Sequence, residues 1–320
     1  MKRLLSLLLA GVLLLGALCG CSVPAKQEEG LSVVATIFPQ YDFARQVMGS
    51  SDDLTMLLRP GQEVHSYEPT PQDIIAIQNC DLFIYVGGES DAWIEDVLEG
   101  MDTSHMVILS LMDLVDPLEE DTDSVLENPE EHSHEDGEAT HLHEEEYDEH
   151  VWTSPKNAML ITQAICDALC DIDPSNAQIY RQNTAAYLEQ LEELDQDFRE
   201  VIGSASRDTL IFGDRFPLLY FVREYGLNYY AAFPGCASET EPSAATVARL
   251  IDLVREEQVP VVYQIELSNG NIARSIADSS GAKVETFYTC HNITRDDFNA
   301  GETYLSLMER NVNSLKEALN

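Results

Sequence analysis

Apolar positions along the chain alternate between two periods. Short β-rich runs at residues 32–36, 54–58, 82–86 and 106–109 are separated by amphipathic helical segments at 41–48, 72–78 and 91–98. An unbroken apolar run of this length, bounded by turn residues, reads as a strand buried on both faces, and strands that alternate with helices build a mostly parallel sheet. The same order resumes at residues 209–212, 227–233, 259–265 and 283–287. The pattern predicts an α/β protein of two lobes, residues 31–172 and 204–320. Between them Ile179, Ala186, Leu188, Leu191, Leu194, Phe198 and Val201 form an apolar stripe, with Pro174 just inside its start and Gly203 just past its end. A helix over residues 173–203 would be about 40 Å long, so one stiff rod is expected to join the lobes and leave them little hinging.

The start of the chain has a different grammar. Lys2 and Arg3, the apolar residues 4–18 and then Leu18-Cys19-Gly20-Cys21 form a positive n-region, an h-region and a small-residue cleavage site. The apolar run is shorter than the roughly 20 residues a spanning helix needs, and residues 1–21 read as a signal peptide. Leu-x-Gly-Cys resembles a bacterial lipobox, in which Cys21 is lipidated and becomes the mature N-terminus; a plain secretory signal cut nearby is the alternative. Residues 22–30 are short and polar and read as a flexible tether. The expected location is extracytoplasmic, anchored to a bacterial cell membrane.

Composition narrows the partners. Of 320 residues 44% are hydrophobic and 23% charged, the profile of a globular chain, and 57 acidic against 18 basic side chains give a formal net charge of -39. Such a field repels phosphate backbones and favours cations, so nucleic acid is not an expected partner. With Cys19 in the leader and Cys21 reserved, Cys80, Cys166, Cys170, Cys236 and Cys290 remain, an odd number for an exported protein. Cys166 and Cys170 stand at a helical spacing that seldom suits a disulfide. Buried packing thiols are expected, and a bridge between Cys236 and Cys290 stays open.

Residues 119–150 hold fifteen acidic residues and five histidines, with no Lys or Arg, and Pro129 and Gly137 break any long element. Such a segment cannot build a core. It reads as a solvated loop inserted in the first lobe. His132, His134, His141 and His143 with the surrounding carboxylates offer a multidentate trap for divalent metal, the plainer reading being an acidic solubilising loop.

Two further histidines fall where ligand sites of open α/β sheets gather, past the C-terminal end of a strand and ahead of a helix. His65 lies in His65-Ser-Tyr-Glu-Pro-Thr-Pro-Gln-Asp73, and His150 in Asp148-Glu-His-Val-Trp-Thr-Ser-Pro155. Neutral imidazole binds zinc and manganese, and a carboxylate on its second nitrogen fixes the tautomer; Glu68 or Asp148 could serve. Trp93 and Trp152 stand on apolar stretches without a polar cluster, so packing is expected of them rather than sugar stacking.

These two motifs, Val86-Gly87-Gly88 ahead of Trp93, and the histidine-rich acidic loop together resemble the solute-binding lipoproteins of bacterial zinc and manganese ABC importers, over essentially the whole mature chain. The resemblance implies a metal cleft between the lobes, in which three histidines and a carboxylate, or three histidines and water, hold a cation that is then handed to a membrane permease. His65 and His150 match the family's first two ligands. Where the family usually places a third histidine, this chain reads Ile211-Phe-Gly-Asp214-Arg-Phe-Pro217. Asp214 is either an oxygen ligand or the cap of the following helix. Glu266, after the strand ending at Ile265, is a further metal candidate and matches a family glutamate that usually supports the ligands. His291, in Thr289-Cys-His-Asn292, falls near the family's late aspartate and would restore the missing histidine. Glu239 and Glu241 are expected to cap or solvate the helix starting near Ser243.

The resemblance implies a monomer that carries Zn2+, with Mn2+ as the alternative, to an ABC transporter permease. A surface metal-buffering or adhesion lipoprotein would use the same ligands without a permease. A zinc hydrolase would need a general base beside the metal, and neither HExxH, GxSxG nor GxxxxGKS occurs, so an enzyme is not expected.

Overall fold

The computed structural model describes residues 30–62, 67–120, 147–235 and 242–320. The first sheet contains β1 (Val33–Ala35), β2 (Leu54–Met56), β3 (Leu82–Tyr85) and β4 (Val107–Ser110), all parallel, in the order β2-β1-β3-β4. Three helices link them: α1 (Phe38–Met48), α2 (Pro71–Asn79) and α3 (Ala92–Glu99). All three residues of β1 are buried, which explains why the strand reads as a continuous apolar run rather than an alternating one. On one face of the sheet Val34, Leu57, Ile77, Phe83 and Ile94 form a buried cluster. Full burial of a side chain such as Phe83 contributes about 1.5–3 kcal/mol.

The second sheet repeats this order. It contains β5 (Thr209–Phe216), β6 (Asn228–Pro234), β7 (Val261–Ile265) and β8 (Lys283–Phe287), all parallel, as β6-β5-β7-β8. Between the strands run α6 (Leu219–Tyr225), α7 (Ala244–Glu256) and α8 (Asn271–Ser280); α9 (Arg295–Ala300) and α10 (Tyr304–Ala318) follow the last strand. In both sheets the strand following the first helix turns to one side of the first strand and the next turns to the other, which places a topological switch point at the strand C-termini. The fold is therefore α/β with two four-stranded parallel sheets, and it follows the expected strand order throughout.

Two long helices, α4 (Pro155–Ile172) and α5 (Ala177–Gly203), join the lobes. α5 has 27 residues, about 40 Å of helix, and packs against α1, α4 and α10, touching both lobes. Its details differ from the sequence expectation. Pro174 lies in the turn before the helix and Gly203 is its last residue. The buried stripe is carried by Tyr180, Tyr187, Leu191, Leu194, Phe198 and Val201, while Ile179 is 51% exposed. The expected stripe left out Tyr180 and Tyr187, whose rings fill the interior face, and took in Ile179 and Ala186, which sit one position off it and are exposed.

Among the cysteines, Cys80, Cys166, Cys170 and Cys290 are free and buried. The Cys166 and Cys170 sulfurs are 4.0 Å apart, too far for a disulfide. Cys236 lies outside the described residues.

Gly213 shows how closely the second sheet is covered. A Cβ there would fall on the backbone of Ala273 in α8. Gly213→Ala should therefore destabilise the protein by about 1–3 kcal/mol through overpacking, read as a lowered urea midpoint with an unchanged slope.

Candidate functional site: the His150 and His291 cluster

His150 reaches its position through a short, heavily bonded segment. Glu119 and Tyr147 form an isolated antiparallel bridge, Asp148 N–H donates to Leu118 O at 2.9 Å, and the Tyr220 hydroxyl of α6 donates to Asp148 O at 2.9 Å. A 3-10 turn, Val151–Thr153, then leads into α4, whose start Ser154 caps by accepting from Asn157 N–H. The ring of His150 is completely buried, and an added Cβ on Gly235 would stand 3.4 Å from its Cε1.

Asp148 orients that ring. Its Oδ1 accepts from His150 N–H at 2.8 Å and lies 3.2 Å from Nδ1. With Nδ1 carrying the proton, Nε2 presents a lone pair. Nε2 is buried and has no hydrogen-bond partner among the described residues, an arrangement that costs free energy unless a cation or donor occupies it. Burial alone lowers the pKa of His150, but Asp148, with Glu149 and Glu120, outweighs it and the net direction is up.

His291 meets His150 from the second lobe. The two ring centroids are 5.0 Å apart at 86°, and Trp152 lies 5.5 Å from His150 and 4.9 Å from His291. The turn that delivers His291 follows β8 and bends at Cys290, a non-glycine residue with φ of 60°. Glu266 holds this bend: its carboxylate accepts from Thr289 N–H at 2.8 Å, Thr289 Oγ1 at 2.6 Å and His291 N–H at 3.2 Å. Burial pushes the Glu266 carboxyl up to about 7 against the pull of those donors. Glu266, expected among the metal residues, is thus committed to shaping the loop that presents His291.

Asp214 lies at an irregularity in β5 between Phe212 and Arg215. It accepts from Arg215 N–H at 2.9 Å and from Ile265 N–H at 3.3 Å, while burial pushes its carboxyl up and a Ser268 hydrogen bond opposes this. The next helix, α6, begins at Leu219 behind Leu218 without a side-chain cap. Asp214 therefore does not cap α6; its carboxylate ties β5 to β7 because the irregularity turns it toward the neighbouring strand.

His65 and the loop histidines His132, His134, His141 and His143 lie outside the described residues, as do Cys21, Glu239 and Glu241. Among the described residues no three His, Cys, Asp or Glu side chains gather as a metal group.

Beside His291 a cavity of about 20 Å3 opens at the switch point of the first sheet, lined by Thr36, Leu58, Val86, Asp91 and Glu149 among others. It has room for one water or one ion. Glu149 is buried and accepts from Ser90 N–H at 3.0 Å and from the Ser90 hydroxyl, and a Cβ on Gly88 would collide with it. Asp91 accepts from Val86 N–H at 2.7 Å. Burial pushes its carboxyl up to about 6, with the Val86 amide opposing and the Glu149 charge adding. Sequence reasoning missed Glu149 and Ser90 and took Asp91 only as the start of the helical segment 91–98, whereas α3 begins at Ala92 without a side-chain cap from Asp91. The Gly87-Gly88 pair was the available signal, since a glycine beside a ligand loop often marks close approach. Trp152 is fully buried and its Nε1 donates to Thr289 O at 2.9 Å, a packing role as expected.

Asp148→Asn should lower metal affinity at His150 by about 10–100-fold, the usual cost of losing an orienting carboxylate. Its pH effect has the opposite sign. The Asp148 charge raises the pKa of His150, so protons compete with metal at higher pH; without that charge, acid-driven loss should shift to lower pH. Chelator competition between about pH 5.5 and about pH 8 measures both, and an unmoved acid midpoint would dissociate Asp148 from the ligand.

A family model described as zinc-uptake complex component A periplasmic matches residues 33–318, from the start of β1 to the end of α10. The zinc-binding lipoprotein AdcA of Streptococcus pneumoniae is 31% identical over 321 residues, covering 99% of this chain and 61% of that protein, so the chain spans less than two thirds of that relative. The high-affinity zinc uptake system protein ZnuA of Bacillus subtilis is 31% identical over 323 residues, covering 97% of this chain and 96% of that protein. The crystal structure of the Zn(II)-bound ZnuA-like domain of Streptococcus pneumoniae AdcA superposes with a TM-score of 0.71 at 27% identity, covering 90% of this chain and 98% of that one. The chain belongs to the zinc-uptake complex component A family (ZnuA).

Proposed function

We propose that this protein is the extracytoplasmic solute-binding component of an ABC-type zinc importer, capturing Zn2+ and delivering it to a membrane permease. The observation that carries the reading is the buried Nε2 of His150, lacking a hydrogen-bond partner among the described residues while Asp148 lies against Nδ1. Family membership supports it. Zinc is held by His150 and His291 with His65, and a histidine-rich donor set suits zinc better than manganese. Residues 31–172 and 204–320 act as two lobes joined through residues 173–203, which carry α5, the protein works as a monomer, and a lipid on Cys21 tethers it to the membrane.

In the same proposal His132, His134, His141 and His143 collect zinc weakly and raise its concentration near the tight site. Calorimetry on residues 22–320 tests both parts. One tight zinc equivalent is expected, lost in a His65→Ala, His150→Ala double variant. Deleting residues 133–146 should slow capture at scarce zinc and spare equilibrium affinity. No tight equivalent in the unaltered protein would end the importer reading; a collapse of affinity on deletion would place the loop in the primary site.

A further inference from the structure

Asn292 follows His291 directly and is almost completely buried, yet its side chain serves the other lobe. Its Nδ2 donates to Arg59 O at 3.1 Å and to Gln62 O at 2.8 Å, and its Oδ1 accepts from Ile293 N–H at 2.8 Å. Around it Gly61 N–H donates to Ile293 O at 2.8 Å, and the exposed Arg295 donates from Nε to Pro60 O at 3.3 Å. Four links thus join residues 59–62, which follow β2, to residues 292–295, which follow β8.

The receiving turn is preformed. Gln62 N–H donates to Arg59 O at 3.1 Å, the Gln62 side chain accepts from Arg59 N–H at 3.3 Å, and Gly61 takes φ of 78°. Only glycine adopts that angle without strain. Two carbonyls of the turn point at one amide group, and a side-chain amide offers the two donors and one acceptor that this position uses. Aspartate has the same shape, but as a carboxylate it donates nothing and would face both carbonyls with like partial charge.

We infer that Asn292 is a positioning residue for the metal site, clamping the turn at residues 59–62 to the loop that presents His291 and so governing how fast the cation leaves. The inference rests on the zinc-site reading proposed above. His291 is the chain neighbour of the clamp on one side, and His65 follows Gln62 by three residues on the other. A clamped loop holds His291 in register without metal, and a preorganised site loses less on binding and releases more slowly. A merely structural Asn292 would stabilise the fold equally with and without zinc and leave release unchanged.

The test is zinc dissociation into excess fluorescent chelator, with hydrogen exchange at the Gly61 amide and thermal unfolding of the metal-free protein. Asn292→Asp should speed dissociation by about tenfold, the scale of losing a group that supports a ligand, and should expose Gly61 to exchange. Arg295→Ala changes an exposed side chain, so its fold is secure. It removes only the outer link, and dissociation should rise by about two- to threefold, a smaller fraction of that same scale. Unchanged dissociation in both variants, or a Gly61 amide still protected in Asn292→Asp, overturns the clamp. Failure of the zinc-site reading would appear separately, as unaltered protein that binds no tight zinc or as His150→Ala protein that still does.

Discussion

His291→Ala should lower zinc affinity by more than about 100-fold, beyond the range expected for a supporting group. The ring stands 5.0 Å from that of His150, centroid to centroid, and its backbone N–H is fixed by Glu266 and Thr289. In the proposed function these two imidazoles, presented from different lobes, supply two of the nitrogen donors that a tetrahedral zinc site uses. Asp214 is the competing third donor, since the resemblance to importer lipoproteins aligns it with the family's histidine. Its carboxylate, however, accepts hydrogen bonds from Arg215 and Ile265. Asp214→Ala should therefore cost stability by loosening β5 from β7, with affinity falling less than about tenfold, below the ligand scale. Chelator competition on both variants, with urea unfolding of the metal-free forms, separates the roles. Affinity within threefold in His291→Ala and a hundredfold loss in Asp214→Ala would exchange the two assignments.

How much of this was legible in the sequence depended on the range of the interaction. Parallel strands announce themselves because β1 and β3 are covered on both faces and so consist of unbroken apolar residues. Asp148 was legible too, since its bond to His150 spans two residues. The first half of the α5 stripe was misplaced because Tyr180 and Tyr187, amphipathic and so left out of the pattern, bury their rings, while Ile179 and Ala186 one position earlier face solvent. Glu149 escaped notice because its partner Ser90 lies 59 residues away, and Asn292 because its partners lie 230 and 233 residues away. No local period carries such a bond; it exists only once two loops past separate strands have been folded against each other. Asp214 was read as a helix cap or a ligand because Asp ahead of a helix commonly caps it, and the strand irregularity that redirects its carboxylate has no signature of its own.

Trp152→Ala should destabilise the metal-free protein by about 3–5 kcal/mol, the cost of truncating a large buried aromatic side chain. For a chain of this size that is a fall in melting temperature of roughly 10 °C. The residue is fully buried, packs against both histidine rings, and donates from Nε1 to Thr289 O at 2.9 Å, while its own carbonyl accepts from the Tyr304 hydroxyl at 2.8 Å. Those contacts come from the first lobe, the loop after β8 and α10. Removing the ring leaves a void beside the two histidines and strips the Thr289 carbonyl of its donor. Trp152→Phe keeps most of the apolar contact and loses only the Nε1 donor, so it should cost about 1–3 kcal/mol, the price of an unsatisfied buried acceptor. The two variants divide packing from hydrogen bonding. If the site depends on the indole as a spacer, zinc affinity should fall sharply in Trp152→Ala and little in Trp152→Phe. If the bond to Thr289 sets the position of His291, the two variants should lose affinity alike, although their stabilities differ. A stability change under about 1 kcal/mol in Trp152→Ala, well below what truncating a large buried aromatic costs, would mean that the ring does not hold the two histidines by packing.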